Sequence, residues 1–511
     1  MRSIWDGDGI DDSTKKRQNR YTMPAAASSP VRIALDPRSP APIYRQIYRR
    51  IRGAIASGAL PPGARLPSWN ALAGELGVAR GTVRAAYEWL AGEGYIRAAG
   101  AAGTRVTIGI GPGAAGRSRK PRDVQVAPGP AGARDALSLA FEGGAPHPFQ
   151  VGMPALDAFP RALWTRLLAR HARRLAPASM VYQDPAGDPA LREAIMSYLA
   201  VARGVDCARE QIFITAGYTG ALELVTRALL DPGDAVWFED PGYPRGREGL
   251  RLAGAKLIPV PVDAEGLVVA RGIAAAPKAR LAVVTPSHQA PLGMPLSLPR
   301  RLALVGWASD SGGWIVEDDY YGEFQFRGRP ISALKSLDRA DRVIYIGTFS
   351  KVLMPSLRLG YVVAPAALAE RLRRIAGLLI PSQSLVTQLT IAEFLADGHF
   401  ARHIRRMRRL YGERRAALVT ALAEEFGTAW KIGLQESGMH LLARLPPGSD
   451  DVALAEKAIA AELGPVALSP WSIRARGGPG LLIGFANVPA ARAPRDAARL
   501  AAALRSMPEG R

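Results

Sequence analysis

Apolar positions with helix-like or strand-like spacing fall into two blocks along the chain, separated by a stretch that shows neither period. In the first block, "PSWNALAGELGVARGTVRAAYEWLAGEGYIRAAGAAGTRVT" runs from Pro67 to Thr107. Ser68 is a good N-cap, and Leu72 and Leu76 lie on one face of the helix it starts. Gly77 ends that helix and Val78 packs in the turn. A second helix is predicted from about Arg80, with Val83, Tyr87 and Leu90 inward. Two short helices joined by a glycine turn make a helix-turn-helix, and "GYIRAAGAAGTRVT" predicts a two-stranded wing with an Ala/Gly tip.

The second block begins beyond Leu137. Its β-like runs, QIFITAG, AVWFED, ARLAVVTPS, GWIVEDDY and RVIYIGT, alternate with helical stretches such as LREAIMSYLA and ALELVTRALL. That alternation predicts a mostly parallel sheet flanked by helices. After about Pro381 the pattern turns helical, with "HFARHIRRMRRLYGERRAALVTALAEEF" as one long basic helix. A small α+β portion containing "MHLLARL" and "GLLIGFAN" follows.

The boundaries follow from these periods. Residues 1–35 read as a disordered arm, 36–108 as the winged helix-turn-helix, and 109–137, rich in Gly, Pro and Ala, as a linker. Residues 138–507 form an α/β domain with its small subdomain from about 385. At 511 residues and 48% apolar, the chain can bury several cores. Its apolar runs are too short to span a membrane. Asp6, Asp8, Asp11 and Asp12 stand where a secretory leader would need an apolar core. One cysteine, Cys207, excludes an intramolecular disulfide and fits a reducing cytoplasm. The 66 Lys and Arg against 45 Asp and Glu give +21, which favours polyanionic partners over a merely solvated basic surface. On the first block that partner is double-stranded DNA. Arg80, Thr82 and Arg84 open the second helix, where a recognition helix meets base edges and phosphates. Arg65, Ser68, Asn70 and Thr104 are further candidate contacts. A winged helix used only for protein contacts is the bland alternative.

Three features of the second block could converge on one ligand. The turn amides of Gly217, Tyr218 and Thr219 open a helix and could cradle a phosphate. The strand "WIVEDDYYGEF" ends in Glu317, Asp318 and Asp319. The stretch "GTFSKVLMPSLRLGY" holds Thr348, Ser350, Lys351 and Arg358. A lysine amine for a Schiff base, a strand-end carboxylate for a pyridine nitrogen, and amides with an arginine for a phosphate match the chemistry of pyridoxal 5'-phosphate. Taken alone, Lys351 would pass for a surface lysine.

The segment Ile43 to about Thr107 resembles the winged helix of GntR regulators. It departs from that family at Asn70, Ala79 and the wing tip "AAGAAGT". Residues from about Gly152 to Arg505 resemble fold-type I aminotransferases, through "VYQDPAGDPALREAI", "DPGDAVWFEDPGYP" and "VTPSHQAPLGMPLSLPRRLALVGWAS". Together they are similar to MocR-type regulators, a GntR subfamily that fuses the two. The resemblance implies Lys351 as the Schiff-base lysine, Asp318 at the pyridine nitrogen, Tyr320 at the ring hydroxyl and Tyr243 on the ring face. It implies Thr348 and Arg358 on the phosphate and His288 and Gln289 along the cofactor edge. Tyr182 would reach the partner subunit's phosphate in a head-to-tail homodimer with shared sites. Catalytic relatives usually place an arginine where this chain has Leu482, and an asparagine before Pro-Thr-Gly where "HQAPLG" has Ala290. Arg474 and Arg476 are possible substitutes. These features imply a regulator that senses a small amino compound, or the cofactor itself. A working aminotransferase with an appended DNA-binding domain, and a regulator that has lost the cofactor, are the alternatives.

Overall fold

A computed structural model describes residues 33–107, 145–326, 331–379, 383–433, 435, 437–474 and 477–505. The expected linker 109–137 and all but the last three residues of the expected arm lie outside the described residues. Two compact units divide the chain, Met1–Ala127 and Pro128–Arg511.

In the first unit, helices α1 (Ile43–Ala56), α2 (Trp69–Leu76) and α3 (Arg80–Gly92) precede strands β1 (Ile96–Ala98) and β2 (Thr104–Val106). Spacing of four residues puts Ile47, Ile51 and Ile55 on one face of α1, buried with Leu72, Val83 and Leu90. Ile33 and Leu35 already pack against this core, so the fold begins inside the expected arm. The Ser68 hydroxyl accepts the Ala71 N–H at 3.1 Å, which caps α2, and Gly77 ends it in a left-handed conformation. β1 and β2 pair antiparallel with Ile96 opposite Val106, both buried.

The second unit is built on an eight-stranded sheet of order β3-β10-β9-β8-β7-β4-β5-β6. The five runs legible in the sequence are β3 (Ile212–Thr215), β4 (Ala235–Asp240), β7 (Leu281–Val284), β8 (Trp314–Asp319) and β9 (Val343–Thr348). Neighbours from β5 (Lys256–Asp263) through β4, β7, β8 and β9 run parallel. β10 (Gly360–Val363) lies antiparallel between β9 and β3, and β6 (Gly266–Leu267) is an antiparallel edge. Every residue of β7 and β8 is buried, as expected of parallel strands covered on both faces.

A second, antiparallel sheet has the order β11-β12-β14-β13, from β11 (Lys431–Ile432), β12 (His440–Arg444), β13 (Val466–Ala467) and β14 (Gly480–Gly484). Helix Leu385–Ala396 packs on Pro189–Ala202 and Arg161–Arg173, so it belongs with the large sheet. The small subdomain, whose start the sequence reading places near 385, contains helix His399–Phe426, which packs on Ala493–Arg505. It also recruits an upstream segment. The carbonyls of His147, Pro148 and Phe149 accept hydrogen bonds from Asn487 Nδ2, Gly464 N and Gly484 N.

Candidate functional site

Side chains alternate faces along a strand, and that alternation sorts the three consecutive acids of β8. Glu317 faces one way and accepts the N–H groups of Leu334 and Lys335 at 2.7 and 2.8 Å. Asp319 shares that face, paired with Arg203 at 2.6 Å and accepting the Tyr345 hydroxyl at 2.6 Å. Asp318 points to the other face, and among the described residues nothing donates a hydrogen bond to it. Burial, with Asp319 and Glu239 nearby, pushes its carboxyl well above the usual carboxylate range, while Lys351 favours its charged form. A carboxyl so placed fits a cationic N–H donor, of which a protonated pyridine nitrogen would be one.

Lys351 follows β9, and its Nζ donates to the Gly152 carbonyl at 3.1 Å. Burial brings its pKa down to about 8; Asp318 favours the ammonium, and Arg245 opposes it. Gly152 has φ +75°, and a Cβ there would overlap Lys351 Nζ, so only glycine permits this approach. The Tyr320 hydroxyl is buried with no partner. Its ring lies 4.2 Å from that of Tyr321 and 5.9 Å from that of His288, centre to centre. His288 is held through Nδ1 by the Ser437 hydroxyl at 2.7 Å, while Nε2 is buried without a partner. Burial drops its pKa well below the ordinary value, so the ring is neutral. Gln289 spends its amide on the loop itself: it donates to the carbonyls of Pro241 and Ala290 and accepts from Leu292 N. Tyr243 lies between Tyr218 and Trp471, 5.8 Å from each ring, and burial pushes its hydroxyl up to about 12.

The cradle is assembled from two distant segments. Gly217, at φ +70°, opens helix Gly217–Leu229, whose first amides, with those of Tyr218 and Thr219, have no intrahelical acceptor. It borders the Ser350 hydroxyl and the Arg358 backbone. Thr348 Oγ1 accepts Ser350 N at 3.1 Å and shapes that turn. Arg358 holds a left-handed conformation and acts electrostatically on Tyr243. Tyr182 is not brought here within one chain. It is fully exposed, beside Met180 and Val181, which are also exposed.

Sequence reading missed Gly152, Tyr321, Arg245, His440 and Arg203. Their contacts link segments far apart in the chain, and no local pattern marks them. Arg203 is the most connected of them, binding Asp319, the carbonyls of Gly322 and Ile331, and the Ser287 hydroxyl. It thereby ties the end of β8 to the loop that carries His288. Leu482, on β14, is wholly buried in an apolar cluster with Ala290, Leu442, Leu468 and Trp471. Arg474 is exposed, with its backbone N–H on Asp240 Oδ2; Arg476 lies outside the described residues.

On the first unit, Arg80 and Arg84 are exposed at the start of α3 and Thr82 is half-buried. Arg84 pairs with Glu88 on the surface. Asn70 is exposed in the first turn of α2, and Ser68 is engaged as its cap. Arg65 is exposed and runs beside Gly103 of the wing, and the Thr104 carbonyl accepts Leu66 N.

Comparison with known proteins agrees with both halves. Residues 43–106 match the family "Bacterial regulatory proteins, gntR family", and residues 157–493 match "Aminotransferase class I and II". The probable rhizopine catabolism regulatory protein MocR of Rhizobium meliloti is 39% identical over 83% of this chain and 85% of its own. The pyridoxine biosynthesis transcriptional regulator PdxR of Corynebacterium glutamicum is 34% identical over 77% of this chain and 81% of its own. A Pyrococcus horikoshii kynurenine aminotransferase, solved with PMP, superimposes with TM-score 0.64 at 28% identity, over 73% of this chain and 94% of that one. The fold is that of a pyridoxal-phosphate protein, and the unpartnered Asp318 carboxylate, the orphan Tyr320 hydroxyl and the Gly217 cradle fit that cofactor. With the identity running through both units, the chain belongs to the MocR-type regulators, GntR-family proteins in which a winged helix-turn-helix is joined to a fold-type I aminotransferase unit.

Proposed function

We propose that this protein is a DNA-binding transcriptional regulator whose large unit holds pyridoxal phosphate on Lys351 and senses an amino compound, or the cofactor itself. The convergence of Lys351 and the unpartnered Asp318 at one end of the sheet carries this reading. When bound, the cofactor supplies a carbonyl that condenses reversibly with primary amines. Lys351 is the amine that anchors it. Asp318 keeps the ring nitrogen protonated, Tyr320 donates to the ring hydroxyl, and Tyr243 covers the ring face. Gly217, Tyr218 and Thr219 offer amides to the phosphate, with Thr348 and Arg358 beside them. His288, kept neutral by burial, lines the edge.

The DNA partner is a double-stranded operator, read through Arg80, Thr82 and Arg84, with Arg65, Asn70 and Thr104 toward the backbone. Full exposure of Tyr182 and its apolar neighbours supports a head-to-tail homodimer with shared sites. Sensing then requires that the amine bind two arrangements of the protein unequally. Turnover as an aminotransferase is the second reading, favoured by the lysine, aspartate and tyrosine set and opposed by the apolar surroundings of Leu482.

The test is spectroscopic. Purified protein should show a visible absorption band that shifts on adding an amine, that is lost in Lys351→Ala, and whose shift accompanies a change in operator affinity. A band unchanged in Lys351→Ala removes the lysine from this role. Sustained multiple turnover with common amino donors selects the enzyme reading instead.

A further inference from the structure

A short run of hydrogen bonds joins the loop that carries Tyr243 to a loop of the small sheet. Asp240, the last residue of β4, is buried, and its two carboxylate oxygens accept consecutive backbone N–H groups. Oδ1 takes that of Ile473 at 2.7 Å and Oδ2 that of Arg474 at 2.8 Å. Two residues on, Gly242 N donates to the Trp471 carbonyl at 3.0 Å, and Arg247 donates to the Pro470 carbonyl at 3.0 Å. These partners all lie in the connection between β13 and β14. That connection is also fixed at its root, where the buried Asp451 Oδ2 accepts the N–H groups of Leu468, Ser469 and Gly480. One buried carboxylate thus holds it to the small sheet, and another holds it to the end of β4. A carboxylate accepting N–H groups makes bonds roughly twice as strong as neutral ones, so Asp240 is a firm link.

Between these two anchors Trp471 is buried against Tyr243, ring centres 5.8 Å apart and planes 44° from parallel. Tyr218, in the first turn of the cradle helix, meets Tyr243 at the same distance. A ring packed edge and face between two others keeps its plane only while both stay in place. We infer that Asp240 is a positioning residue for the cofactor ring: by clamping Ile473 and Arg474 it keeps Trp471 against Tyr243, and so sets the plane of the side chain that covers the ring. This rests on the reading that Tyr243 lies on the ring face.

A double-substitution cycle tests it. Pyridoxal phosphate is titrated into the cofactor-free full chain, and the visible absorption and circular dichroism of the bound cofactor are followed. Asp240→Asn keeps one acceptor oxygen and loses the other. It should weaken cofactor affinity about tenfold and reduce the dichroism of the band. In a Tyr243→Ala chain the same substitution should change affinity by less than about twofold. A tenfold loss in both backgrounds, or none in either, overturns the inference; if Tyr243→Ala alone still weakens binding, the ring-face reading stands. If Tyr243→Ala alone leaves affinity and dichroism unchanged, the ring-face reading falls and this inference with it. Trp471→Leu removes the packed ring and keeps both bonds to Asp240. It should show the same dependence on Tyr243, and it decides the matter if the Asp240→Asn chain does not fold; an effect independent of Tyr243 overturns the inference there too.

Discussion

A lysine with a pKa near 8 is a poised nucleophile, because about one-tenth of it is neutral at pH 7. The shift comes from burial, and the neutral form is the one that adds to a carbonyl. Loading of cofactor-free protein with pyridoxal phosphate should therefore speed up about tenfold from pH 6 to pH 7 and level off above pH 8. Stopped-flow absorbance checks this; a rate still climbing tenfold per unit from pH 8 to pH 10 would show an ordinary lysine. Lys351 and Asp318 stood out in the sequence through the stretches that carry them, whereas the role expected of Tyr320 came from the resemblance to fold-type I aminotransferases. Gly152 did not stand out, since its need for glycine arises only where a segment 199 residues away brings an amine against it. Nor was the division of labour within Glu317-Asp318-Asp319 spelled out in the letters. It depends on which face of β8 meets Arg203.

Among elements, the helix-turn-helix offers a separable pair of tests. Ser68 caps α2, so Ser68→Ala should lower the stability of the first unit by about 1 kcal/mol, read as an earlier melting transition in the full chain. Arg80 is exposed and makes no cap, so Arg80→Ala should leave melting unchanged. It should weaken operator binding and reduce the slope of log affinity against log salt by about one. Identical effects from the two substitutions would mean that α3 does not present Arg80 to phosphate. The helices, the wing and five sheet strands follow from local period and caps. β10 was not among the runs read, although it is a four-residue buried strand like β3 and β7. The return of residues 147–149 to the C-terminal sheet is a long-range pairing and leaves no trace in local pattern.

At the scale of the whole molecule, a fully exposed Tyr182 beside Met180 and Val181 fits a site completed by a second copy. Subunit mixing tests this. Lys351→Ala chains and Tyr182→Ala chains should each bind the cofactor poorly. Co-folded, they should regain tight binding at one site per dimer, because one site then combines an intact lysine with an intact tyrosine. No gain on mixing would place Tyr182 outside the partner's site.

The hydrogen bond from Lys351 to Gly152 also has a mechanical side. The lysine is rooted beside the large sheet, and Gly152 follows a segment stitched to the small one through Phe149 and Gly484. In the cofactor-free protein the amine thus works as a clasp between two subdomains. A carbonyl carbon bonded to that nitrogen would compete with the Gly152 carbonyl for it, so filling the site would bear directly on the clasp.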